Sequence, residues 1–283
     1  MNVNRNYKDS VFTALFTDPD LLRELYCALD GVTLPKDAPV SINTLEKVLF
    51  MDLYNDISFK IGGKLIVLIE HQSTINPNMA VRLLIYITHV LEALIESKTL
   101  YSTTPVKIPW PEFFVLYNGR DAYPDKTIMK LSDHFENPKE LGLVEKSRPL
   151  LELEVKVLNI NEGRNEHVVN RCRKLAEYSA FMAKARSFTD ELGSKEEGIK
   201  TAIKFCVKHG ILKEFLEKHS GEVLSMLLTE WNTEDCIAVR CEEIREAVEE
   251  KWRGVVADCK AEIADNKAEI ARLQAELKAY SSS

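Results

Sequence analysis

The stretch Asp56-Ile-Ser-Phe-Lys-Ile-Gly-Gly-Lys-Leu-Ile-Val-Leu-Ile-Glu70-His-Gln72 decides how the fold is read. Leu65 to Ile69 is a run of five consecutive aliphatic residues, the pattern of a strand covered on both faces. Asp56 to Ile61 forms a second strand, and Gly62-Gly63 between the two marks a hairpin. Side chains at i and i+2 of a strand share a face, so Glu70 and Gln72 point the same way. A three-residue turn, Gly62-Gly63-Lys64, sets Ile61 against Leu65 and Asp56 against Glu70, which brings both carboxylates to one face. A two-residue turn sets Asp56 against Ile69 instead and separates the acids, unless a bulge corrects the register.

Outward from this hairpin, helical and strand patterns alternate. Upstream, Lys8 to Leu29 has apolar residues near helical spacing, with Asp18-Pro19-Asp20 as a break point, and a loop at Leu34 to Pro39 follows. Thr44 to Met51 is strand-like. Downstream, Asn76-Pro77-Asn78 opens a long helix, Met79 to Ser97, and Glu112 to Tyr117 is a short strand ending at Asn118-Gly119. A loop region runs to Pro149, Leu150 to Leu158 is a strand, and Glu166 to Arg186 is helical. Helices between strands imply an α/β fold, a mixed sheet flanked by helices. After about residue 190 only helical patterns remain: Glu196 to Lys208, Gly210 to His219, Glu222 to Leu228 and Asp235 to Arg253. The expected division is 1–190, a sheet domain; 191–257, a helical region; and 258–283, a short coiled coil.

The coiled-coil reading rests on two series seven apart: Ile263, Ile270 and Leu277, and Asn266, Leu273 and Tyr280. Taken as a and d, they put Glu262, Glu269 and Glu276 at g, and Lys260, Lys267 and Gln274 at e. In a parallel homodimer Glu262 meets Lys267 of the other copy, and Asn266 favours one register at a cost in stability. An amphipathic helix packed on its own domain, or a solvated tail, fits the same residues.

The chain has 283 residues, 45% hydrophobic and 29% charged, enough for a sizeable core with an accessory region. No apolar run reaches the roughly 18 residues of a membrane span. The polar start, Met1-Asn-Val-Asn-Arg-Asn, lacks the apolar core of a signal peptide, so a cytoplasmic protein is expected. Its six cysteines show no CxxC pair and no zinc spacing, and are expected to be reduced and mostly buried. The net charge of −7 argues against a protein that coats nucleic acid through bulk charge. The acidity is uneven: residues 1–190 hold 23 Lys and Arg against 25 Asp and Glu, and residues 191–283 hold 14 against 19. The first part can therefore carry a local basic groove.

Two acids on adjacent strands suit a hard cation. Mg²⁺ binds one or two carboxylates and keeps several waters. It polarises a phosphodiester and acidifies an attacking water. A carboxylate ending five aliphatic residues is also unusual, because ionised and buried without a partner it costs several kcal/mol. Ordinary solvent-exposed acids at strand ends remain the plain alternative.

Wider features resemble a known family. These are Lys8-Asp9-Ser-Val-Phe12 with Leu15-Phe16, Asp56 with Ser58-Phe59, and Leu68-Ile-Glu-His-Gln-Ser73. Pro77-Asn-Met79, Arg82, Tyr86, Leu116-Tyr-Asn-Gly119, and Leu158-Asn-Ile-Asn161 with Gly163 and Asn165 follow. Gly210-Ile-Leu, Phe215-Leu216 and Glu222-Val come later. Together they resemble the recombination-promoting nuclease/putative transposase family (Rpn) of the PD-(D/E)XK superfamily. The resemblance implies a restriction-endonuclease-like core and a metal-dependent DNA endonuclease using Mg²⁺, or Mn²⁺ in its place, linked to recombination or transposition. It implies that Asp56 is the metal-binding aspartate of the second core strand. Glu70 is then the acid of the (D/E)XK element, with Gln72 in place of its lysine. Gln orients water by hydrogen bonds but brings no positive charge. Asp9 resembles the acid that often completes such sites, and a simple surface Asp is the alternative.

Arg82 and Tyr86, four apart, share a helix face from which they can reach the site and a phosphate, or simply pack. His71 faces away from Glu70 and is read as structural. Glu152, Glu154 and Lys156 alternate on what reads as a solvated strand face. Arg164, Arg171, Arg173, Lys174, Lys184 and Arg186 make residues 164–186 locally basic, a surface for DNA phosphates or a solvated helix face. The rival to the nuclease is a catalytically weak or inactive DNA-binding scaffold that dimerises through its C-terminal helices.

Overall fold

The computed structural model describes residues 10–42, 56–136, 141–142 and 149–280. The chain divides into two compact units, 1–228 and 229–283.

The first unit is built on a six-stranded mixed sheet. Its strands are β1 (Val40–Ile42), β2 (Ile57–Ile61), β3 (Leu65–Gln72), β4 (Trp110–Tyr117), β5 (Lys126–Lys130) and β6 (Glu154–Asn159), in the order β1-β2-β3-β4-β6-β5. β1, β2 and β3 pair antiparallel, β3, β4 and β6 run parallel, and β5 returns antiparallel along β6. The aliphatic run lies in β3, inside the sheet, where Ile66 to Ile69 are fully buried. A parallel neighbour requires a crossover, and α3 (Met79–Leu94) supplies it between β3 and β4.

Strand alternation sorts the core into two faces. On one, Ile66, Leu68, Phe113, Val115, Val155 and Val157 pack with Met79, Leu83, Tyr86 and Val90 of α3. On the other lie His71 and Phe114, covered by α1 (Val11–Leu15), α2 (Pro19–Asp30) and α5 (Arg173–Leu192). Phe12 stacks on His71 at 5.0 Å between ring centroids, Tyr26 meets Phe114 edge-on, and Tyr178 meets His71 edge-on. The expected first helix is thus two, and the break has a cause. Asp18 caps α2 by accepting from Asp20 N and Leu21 N, with Pro19 in the first turn, where its missing N–H costs nothing.

The expected helix at 166–186 is also two pieces, α4 (Glu166–Val169) and α5, and α6 (Lys195–His209) packs against α5 through Phe188 and Phe205. Beyond Gly210 the helical run α7 (Lys213–Tyr280) is two helices parted by a kink at His219, where the first of the expected segments ends, and the expected breaks further on are absent among the described residues. β5 falls in a stretch expected as loop: a five-residue edge strand with exposed Lys126, Ile128 and Lys130 has no apolar alternation to announce it. β1 likewise follows a loop closely. The expected strand Thr44–Met51 lies outside the described residues. Among the free cysteines, Cys172 and Cys206 are buried, Cys27 is half-buried and Cys259 is exposed. No helix is long and apolar enough to cross a membrane among the described residues.

Candidate active site

The β2–β3 turn has the three-residue form. Ile61 pairs with Leu65, and Lys64 N donates to Ile61 O at 3.1 Å. Gly62 and Gly63 have φ of +58° and +65°, a left-handed conformation that side chains with a Cβ adopt only at a cost, which is why two glycines stand here. Ile57 pairs with Ile69, so the register carries Asp56 opposite Glu70. The two acids then interlock through the backbone: Asp56 N donates to Glu70 Oε1 at 3.3 Å, and His71 N donates to Asp56 Oδ2 at 2.7 Å.

Glu70 is only 3% exposed. Burial raises its pKa well above the usual carboxylate range, and the Asp56 charge adds to the rise, while Arg82 and the Asp56 N–H oppose it. The opposing cation comes from α3: Arg82 Nη2 lies 3.4 Å from Glu70 Oε2 and donates to Tyr86 Oη at 2.9 Å. Arg82 and Tyr86 thus stand on one helix face, over the acids. Burial works against the Arg82 charge, but Glu70 and Tyr86 hold the proton on and leave its pKa raised. Burial and the Glu70 charge raise the Tyr86 hydroxyl. Gln72, two residues along from Glu70, turns its amide to Met79 Sδ at 2.7 Å. Ser58, on the strand face shared with Asp56, is 5% exposed, and its hydroxyl has no hydrogen-bond partner among the described residues.

The ends of the parallel strands are knitted by polar groups that sequence reading noticed only as motif letters. Asn118 N donates to Gln72 O at 2.8 Å, and Ile160 N donates to Tyr117 O at 2.8 Å. Arg186 donates to Asn161 Oδ1 at 2.9 Å, to Asn118 Oδ1 at 2.9 Å and to the Asn118 carbonyl. Asn165 takes a left-handed φ of +42° and donates to Asn159 O at 2.9 Å. Asn tolerates that conformation better than most residues. Arg186 is therefore a strut inside the domain and leaves the basic surface expected of residues 164–186. Lys174 pairs with Glu177 at 3.3 Å, Arg173 pairs with the same acid, and Arg171 is exposed. These residues lie with α5 on the sheet face opposite Glu70, so the structure does not bring Arg171 and Lys174 to the acid pair.

His71 packs away from the acids, with Tyr178 Oη 3.0 Å from Nε2, and burial pulls its pKa down to about 3. Glu152 and Glu154 are exposed, as a solvated strand face requires, but Lys156 is partly covered by α2 and pairs with Asp30 at 2.5 Å and Glu112 at 3.4 Å over the Phe114 ring. Asp9 lies outside the described residues.

Fold and site together define a mixed α/β protein with an acid pair sunk between a central β-hairpin and one crossover helix. The chain belongs to the family described as "Putative transposase, YhgA-like", which it matches over residues 9–198, a span that holds the whole sheet and the acid pair. This agrees with the resemblance carried by the sequence motifs. No curated protein and no solved structure matches the chain.

Proposed function

We propose that this chain is a metal-dependent DNA endonuclease, in which Asp56 and Glu70 hold a divalent cation and Gln72 orients water. Family membership suggests a transposition-related, nuclease-type role, and the metal and the hydrolysis are our reading. The observation that carries it is the interlock of Asp56 with a nearly fully buried Glu70. Two like charges at a low-dielectric site repel unless a proton or a cation joins them.

The donor set fits Mg²⁺, with Mn²⁺ as a substitute. Both acids offer hard oxygens, and no cluster of three His, Cys, Asp or Glu that could hold a metal occurs among the described residues. Mg²⁺ needs only one or two carboxylates, since it retains several waters. Asp9 is proposed as a further ligand from the resemblance. When bound, the cation supplies Lewis acidity to a phosphodiester and acidity to an attacking water. The chain's own residues do the rest. The His71 and Asp56 N–H groups fix one oxygen of each carboxylate. The Gln72 amide, exchanging Met79 for water, orients the nucleophile. Arg82, seated by Tyr86, offers guanidinium donors to a phosphate oxygen. Arg171 and Lys174 would meet DNA only at a separate contact on the other face.

One observation favours the rival reading of a non-catalytic DNA-binding scaffold: Arg82 already gives Glu70 a positive neighbour. The test is supercoiled plasmid incubated with Mg²⁺ or Mn²⁺ beside an EDTA control, Asp56→Ala and Glu70→Ala. The nuclease reading expects metal-dependent nicking that falls on the order of 100-fold or more in both variants. It also expects Mn²⁺ to raise the Tm of the wild type and not of Asp56→Ala. A folded wild type that neither cleaves nor is stabilised by either metal is the scaffold.

A further inference from the structure

The second unit, 229–283, carries an apolar stripe along α7 that is open to solvent. Trp252 is 62% exposed, Val256 48%, Ile263 54%, Ile270 55% and Leu273 50%. Cys259 and Asn266 are exposed as well. These positions follow one heptad frame. Val256, Ile263 and Ile270 fall at a, and Trp252, Cys259, Asn266 and Leu273 fall at d. Leu277 and Tyr280 continue the two series in sequence. The exposed Trp252 and Val256 carry the seam a heptad upstream of the tail that sequence spacing alone marks out.

We infer that residues 252–280 pair in parallel and in register with the same residues of a second copy of this chain. Charge complementarity selects that occupant. The e positions are Arg253, Lys260, Lys267 and Gln274, none of them acidic, while Glu262, Glu269 and Glu276 hold three successive g positions. In a parallel pair g faces the e position of the next heptad, so Glu262 meets Lys267 of the other copy. In an antiparallel pair g faces g and e faces e, setting Glu against Glu and Lys against Lys. The parallel pair thus gains the Glu262–Lys267 contact and sets Glu269 beside the neutral Gln274 and Lys260 beside Val255, with no like charges opposed. Asn266 adds register: only in-register pairing lets the two amides satisfy each other inside the seam. Gly254 falls at f, on the outer side, where its poor helix propensity opens no gap in the seam.

The experiment uses the full chain. Size-exclusion chromatography with light scattering at micromolar concentration is expected to give twice the 32.2 kDa of one chain. Ile263→Glu with Ile270→Glu is expected to halve that mass and to leave the thermal transition of the first unit in place. In a Cys236→Ser, Cys241→Ser background, mild oxidation is expected to link Cys259 to Cys259 of the other copy, because parallel pairing puts the two thiols face to face at d. The link is expected to vanish in the double Glu variant. A monomeric wild type overturns the proposal. A dimer untouched by the two Glu substitutions overturns the seam, and a dimer that never links through Cys259 overturns the register.

Discussion

Glu70 is a carboxylate held away from water, beside a second carboxylate, and its pKa is raised by burial first and by Asp56 second. Between the unfolded value near 4.5 and the raised folded value, the folded chain keeps a proton that the unfolded chain has lost. Stability therefore falls as pH rises through that window, and the deficit persists above it. Glu70→Gln, isosteric and neutral, is expected to raise Tm at neutral pH, to lose that advantage near pH 4, and to abolish any cleavage. His71 has the opposite sign. Its pKa is pulled from 6.5 to about 3, so the unfolded chain takes up a proton that the folded chain refuses, and stability falls as pH drops from 6.5 toward 3. In His71→Phe that acid-side slope is expected to flatten, whatever the constant cost of losing the hydrogen bond between Tyr178 and His71. Urea unfolding across pH 3–8 separates the two. A Glu70→Gln variant no more stable than wild type at pH 7 would sink the strained-acid account.

At the level of elements, the site hangs on strand ends, and strand ends need ties. Gln72 O is tied to Asn118 N, and Asn118 to Arg186 of α5, which also reaches Asn161 beyond β6. One guanidinium thus clamps the exits of two parallel strands. Lys carries one compact charge and cannot reproduce the fork. Arg186→Lys is expected to cost about 2 kcal/mol of stability, by leaving the buried Asn118 groups short of donors. It is also expected to lower any cleavage in proportion to the loss of Gln72 order. Chemical denaturation measures the first effect and the plasmid assay the second. An unchanged denaturation midpoint would show that the clamp contributes nothing. Gly119 belongs to the same junction: a Cβ there would lie 2.0 Å from Ser73 O, so the Tyr-Asn-Gly motif is a matter of space as well as turn chemistry.

At the scale of the whole molecule, the two units have different sources of stability. The first buries a sheet between helices and closes its own core. The second presents Trp252, Val256, Ile263, Ile270 and Leu273 to solvent, and a lone helix with an apolar face gains most of its stability from a partner. Stability that depends on association depends on concentration. Scanning calorimetry at two protein concentrations tenfold apart is expected to shift the transition of unit 229–283 upward with concentration and to leave that of unit 1–228 still. Two concentration-independent transitions would mean that the second unit is stable as a single chain.

The sequence alone determined the centre of this protein, because periodicity is a short-range signal. Five aliphatic residues, two glycines and a period of two set β2 and β3; whether Asp56 meets Glu70 turned on a two- or a three-residue turn, and the folded register decided for three. The 3.6-residue period with Asn78 placed α3, and with it Arg82 and Tyr86 on one helix face. Tertiary structure decided what depends on residues distant in the chain. β5 is a strand because β6 gives it hydrogen bonds, not because Lys126–Lys130 has a pattern. Lys156 is paired because α2 folds over it, and Arg186 is a strut because β4 and β6 end beneath it. A charge on a helix reads the same in sequence whether it faces solvent or a buried carbonyl, and only the packing of distant segments distinguishes the two.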